Sequence, residues 1–147
     1  FPAARAMEKG LADDIVEKES KNYELAGVAW RQAQEVTKSL PMLEAAASKS
    51  EKGELYARLG NVYLDVDKNK EAVEALKRGL DRGGVKRPDQ ARLALGMAYF
   101  NLGDFNAARR AFREARKDKR ARSYADQWLK YTTSEENRLE ELAKDLG

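Results

Sequence analysis

The chain has 147 residues, 42% hydrophobic and 36% charged, which suits one compact domain or a short repeat array. It holds no histidine and no cysteine, and this removes the commonest general base and metal ligand, thiol nucleophiles and disulfides. Its 28 basic residues nearly balance 25 acidic ones, a net charge of +3 that is too small for a dedicated nucleic-acid binder, and no run of eighteen apolar residues offers a membrane span.

Ala, Leu, Glu, Lys and Arg dominate, prolines number only three, and strand-like alternation is absent, so the chain reads as all-α. The register comes from two segments thirty-six residues apart. "LGNVYLDVDKNKEAVEAL" (59–76) and "LGMAYFNLGDFNAARRAF" (95–112) share L-G-x-x-Y, a polar break, and then A-x-x-x-[FL]. A period of this size implies stacked helical hairpins.

In chain order, "KGLADDIVEKES" (9–20) aligns without gaps on "RGLDRGGVKRPD" (78–89). Residues 1–19 therefore read as the end of an upstream repeat, with Met7, Leu11 and Ile15 as its apolar stripe. The opening Phe1-Pro2 in place of Met marks the sequence as an expected piece of a longer protein. Residues 20–52 form a degenerate copy carrying Tyr23, Gly27 and Trp30, then Leu43 and Ala46. Pro41 sits inside its second helix, where it is expected to delay or distort that helix.

Residues 53–88 are a full repeat. Tyr56, Leu59, Gly60 and Tyr63 share one helical face, and Ala72, Leu76 and Gly79 share the facing one. Small residues let the two helices approach closely, and the large ones fill the joint. Gly83-Gly84 suits a helix end and Pro88 the first turn of the next helix. "DVDKNKEAVEAL" (65–76) begins like a calcium loop, but Lys70 and Leu76 stand where such a loop needs glycine and glutamate, so it reads as an inter-helix turn with Asn69 near the N-cap.

Residues 89–119 repeat the pattern with Arg92, Leu95, Gly96, Tyr99, Ala108, Phe112 and Ala115. Between Arg109 and Arg122 eight basic residues face two acidic ones, which reads as a solvated face or as a patch for an acidic partner. In residues 120–147, Tyr124 and Trp128 fall on one face, Thr133 and Glu136 form a T-x-x-E capping box, and Leu139, Leu142 and Leu146 make a stripe. This predicts two terminal helices covering the last repeat.

The spacing resembles the tetratricopeptide repeat, W-x-x-L-G-x-x-Y followed by A-x-x-x-F-x-x-A. Tyr56 and Arg92 replace the tryptophan, Leu76 the phenylalanine and Gly79 the third alanine. The resemblance implies an α-α superhelix, and the sequence as a whole reads as one such domain, residues 1–147, with capping helices at its C-terminus. The runs G-G-V-K-R-P-D, L-G-M-A-Y-F-N-L-G-D-F and R-S-Y-A-D-Q-W-L-K-Y further resemble a bacterial repeat family associated with TonB–ExbB–ExbD energy transduction. That resemblance implies a periplasmic accessory protein; composition and spacing leave the cytoplasm equally open.

What the repeat resemblance implies for function is a protein–protein interaction scaffold whose concave groove takes a peptide or partner protein. Carried over by position, the groove residues include Arg31, Asn61, Leu64, Asp65, Met97, Phe100 and Asn101. Amide side chains there offer both donor and acceptor to an extended backbone. Arg109, Arg110 and Arg113 are the candidates on the basic face. The family's carboxylate clamp needs lysine at a position held here by Glu24, Ala57 or Leu93, so no such clamp is expected. Two other readings stay open: a nucleic-acid-binding helical repeat using 109–122, and a self-assembly module pairing through its end helices. No phosphate-binding glycine motif, catalytic constellation, metal site, cofactor or small-molecule substrate is legible.

Overall fold

The computed structural model describes Val36 and residues 38–147, and the readings placed on 1–35 lie outside the described residues. Among the described residues six helices and no strands occur. They are α1 (38–49), α2 (Glu54–Asp65), α3 (Asn69–Arg82), α4 (Pro88–Asn101), α5 (Phe105–Ala115) and α6 (Arg122–Leu146). The all-α superhelix expected from the repeat spacing is the fold.

Helix boundaries follow local chemistry. Pro88 occupies the first turn of α4, where a missing N–H costs nothing. Gly83 ends α3 at φ 81°, a left-handed conformation that a side chain would strain. The Asp104 side chain caps α5 by accepting from the Ala107 amide at 3.1 Å. Asn69 opens α3 one residue after its N-cap, Lys68, close to the expected place. Residues 38–49 are helical on both sides of Pro41, whose side chain is exposed, so the expected delay or distortion is not seen there.

Hairpins α2–α3 and α4–α5 form the tightest pairs, and each stacks on the next, α3 against α4 and α5 against α6. One core gathers Leu40 and Ala47 of α1 with Tyr56, Leu59, Tyr63, Ala72, Leu76 and Ala91. A second joins Ala108, Phe112 and Ala115 of α5 to Ala121 and Ala125, with Trp128 packed against it. The expected joint residues fill the joints: Leu76, Ala72, Phe112 and Ala108 are fully buried.

The C-terminus departs from expectation. One continuous helix, Arg122–Leu146, replaces the two expected terminal helices. No Gly or Pro interrupts 122–146. Thr133 lies within the helix, so it cannot take the non-helical conformation of an N-cap. Its neighbour Thr132 is buried, and its hydroxyl donates to the Trp128 carbonyl one turn back at 2.6 Å. The first half of α6 covers the last repeat. Leu139, Leu142 and Leu146 are exposed in its second half.

Candidate functional site

Helices α2, α4 and α6 succeed one another along the inner face, and two adjoining cells open between them. The first, between α2 and α4, is lined by Glu54, Ala57, Arg58, Asn61, Lys86 and Arg87. It is polar and carries more basic than acidic groups. The second, between α4 and α6, encloses about 390 Å³. Leu93, Met97, Tyr124 and Trp128 line it, with Arg87 and Arg120 beside them. Arg87 and Gln90 border both cells, so they form one groove that grades from cationic and polar to aromatic and apolar.

A buried carboxylate fixes the middle of this groove. Asp89, at the start of α4, is wholly buried and receives two bonds from Arg87, at 2.9 and 2.6 Å, with Arg120 at 3.6 Å. The bonds from Arg87 hold its carboxyl below the usual value against the opposing effect of burial, and Arg120 adds to them. Arg120 in turn pairs with Asp118, whose carboxyl its bonds lower to about 2. The ladder Arg87–Asp89–Arg120–Asp118 ties the α4 N-terminus to the turn before α6. It also sets two guanidinium groups, 39% and 53% exposed, beside the apolar cell.

The residues expected at the groove divide. Asn61 and Met97 line it, in the polar and apolar cells respectively. Leu64 packs instead against the first core. Phe100 belongs to an aromatic cluster, 5.5 Å from Trp128, 5.6 Å from Phe105 and 5.2 Å from Tyr131. Both are half-buried, and Phe100 shares its core with Met97, Leu93 and Trp128. Asp65 and Asn101 are exposed at helix ends, where Asn101 donates to the Asn69 side chain at 3.0 Å. Arg31 lies outside the described residues.

Half of the basic run is ion-paired among the described residues. Arg109 pairs with Glu136 at 3.1 Å and anchors α6, Arg116 pairs with Asp126, Lys117 with Glu114, and Arg120 with Asp118. Arg110 borders a separate cleft on the other side of α4, and Arg113 is exposed. The sequence reading missed Arg58, Lys86, Arg87, Tyr124 and Trp128 as groove residues. Arg58 lies on α2 itself; for the other four the cue lay in the linker and terminal helix, which line the cells together with α2 and α4.

The tetratricopeptide repeat family model matches residues 53–82 and 89–115. Both stretches are similar to tetratricopeptide repeats. The match spans α2–α3 and α4–α5, the two hairpins whose glycine, alanine and aromatic positions build the joints. Tetratricopeptide repeats are generally protein–protein interaction modules and typically non-enzymatic scaffolds. The match supports the repeat family alone and not the TonB-associated one. No curated protein matches the chain. Among the described residues no helix is long and apolar enough to cross a membrane.

Proposed function

We propose that the inner groove binds an extended segment of a protein partner, one carrying an apolar or aromatic side chain next to acidic residues. The observation behind this reading is the gradation along the groove. Leu93, Met97 and Trp128 offer an apolar seat, and Arg58, Lys86 and Arg87 outnumber Glu54 in the adjoining cell. Asn61, at the polar end, has both a donor and an acceptor for a peptide backbone.

Selection of peptides from a displayed random library against the full chain tests the reading. Selected peptides should pair an aromatic or aliphatic residue with neighbouring carboxylates. Met97→Glu and Arg58→Glu should each weaken them by about tenfold or more. Peptides without acidic enrichment, or peptides indifferent to both substitutions, refute it.

The exposed stripe Leu139, Leu142 and Leu146 favours a second reading, self-association through α6. A mass that stays monomeric across a concentration series of light-scattering measurements removes it. Nucleic-acid binding through 109–122 is disfavoured by the ion pairs that engage half of that run and by the small net charge of +3; a salt-dependent mobility shift would restore it. A periplasmic role beside TonB–ExbB–ExbD rests on the sequence resemblance alone, and fractionation of the native host tests it.

A further inference from the structure

Two clefts on the outer side of the hairpins are related by the thirty-six-residue period. The first lies among α1, α2 and α3, and Glu44, Tyr56, Leu59, Tyr63, Glu74 and Arg78 line it. The second lies among α3, α4 and α5, and the equivalent positions line it: Leu80, Arg92, Leu95, Tyr99, Arg110 and Glu114. Leucine and tyrosine recur in both, and the charged groups change.

The first cleft is satisfied from within. The Tyr63 hydroxyl donates to Glu44, and Arg82 and Arg78 stand over the Tyr56 ring at 4.9 and 6.0 Å. In the second cleft Leu80 takes the place of Glu44, so the Tyr99 hydroxyl meets no hydrogen-bond acceptor among the described residues. Arg92 takes the place of Tyr56, and Arg110 that of Glu74. The open volume rises from about 250 to about 370 Å³. Arg110 is exposed and makes no ion pair among the described residues. Two carboxylates also border the cleft. Glu114 is engaged by Lys117 at 2.9 Å, and Asp81 is exposed on α3.

We propose that this second cleft binds a carboxylate side chain, glutamate or aspartate, presented by a protein partner. The carboxylate accepts from the Tyr99 hydroxyl and pairs with Arg110 and Arg92, while the methylenes that carry it rest on Leu80 and Leu95. The first cleft supplies the precedent inside the same chain, since there the equivalent tyrosine meets a glutamate of the chain itself. The site is separated from the inner groove by α4 and does not depend on what the groove binds.

The test uses the full chain and two blocked peptides, Leu-Glu-Leu-Glu-Leu and its glutamine counterpart, titrated and followed by NMR. The glutamate peptide should shift the Tyr99 ring and the Arg110 guanidinium signals, and it should bind at least about tenfold more tightly than the glutamine peptide. Arg110→Gln should weaken it by about tenfold or more, and the exposed position leaves the fold intact, as circular dichroism checks. Leu80→Glu, which installs the internal acceptor found in the first cleft, should weaken it similarly. Equal binding of the two peptides overturns the proposal. So do no binding at millimolar peptide, shifts confined to Leu93 and Met97, or unchanged affinity in Arg110→Gln.

Discussion

Gly96 of α4 lies directly against the ring of Phe112 of α5: a Cβ at Gly96 would sit 2.5 Å from the Phe112 Cε1 atom. The same contact recurs one repeat earlier, where a Cβ at Gly60 would sit 2.5 Å from the Leu76 Cγ atom. Both neighbours are fully buried, so neither has free space to enter.

Gly96→Ala should therefore destabilise the fold by about 1–3 kcal/mol through overpacking. Gly60→Ala should cost less, because a leucine has rotamers to change and a ring held in an aromatic stack has few. Phe112 is stacked on Trp128 at 5.4 Å with 14° between the planes. Urea unfolding of the two variants checks the order; a negligible loss in Gly96→Ala would show that the α4–α5 joint has room to yield.

Asp89→Ala removes the acceptor shared by Arg87 and Arg120 from a fully buried position. The expected loss is about 1–3 kcal/mol, below that of a fully buried ion pair because both guanidinium groups keep solvent contact. The Asp89 and Asp118 carboxyls are depressed in the folded chain, so both contribute stability above the unfolded carboxylate pKa. That contribution falls away as pH drops through the folded values, which for Asp118 means toward about 2. Thermal melts between neutral pH and that limit should show the decline, and it should be shallower in Asp89→Ala.

Tyr63 should titrate anomalously. Burial and its bond to Glu44 raise the phenol to about 12. A raised folded pKa gives stability that is complete below about 10, the unfolded value, and is lost as pH climbs toward 12. Ultraviolet difference spectra should resolve one late-ionising phenol that Tyr63→Phe removes. Ionisation of every tyrosine near the ordinary value would show that the Glu44 contact is not kept in solution.

The single α6 helix makes a metric prediction. The chain has no cysteine, so Tyr124→Cys with Asp145→Cys gives two clean labelling sites on exposed positions. Along one helix the twenty-one intervening steps place the backbones about 32 Å apart. Two antiparallel helices folded at 132–134 would bring them within about 10 Å, the packing distance of neighbouring helices. Spin-label distance measurement separates the two.

Composition and a thirty-six-residue period by themselves determined the helical class, the hairpin boundaries and the identity of the joint. Gly96, Ala108, Tyr99 and Phe112 recur at spacings dictated by 3.6 residues per turn, and local geometry transmits that periodicity without help from distant residues. Tertiary structure decided what periodicity cannot carry. Phe100 and Leu64 fall at groove positions on a helical wheel, and the partners they also pack on, Trp128 and Tyr131 for Phe100, are set by contacts far apart in sequence. Thr133 looks like an N-cap, yet the helix that packs on the last repeat runs through it without a break. Arg120 reads as part of a basic run, yet packing brings it to Asp89, thirty-one residues earlier, and turns it from surface charge into a structural strut at the edge of the groove. Short-range patterns specify elements; only packing specifies which of their faces are left over for a partner.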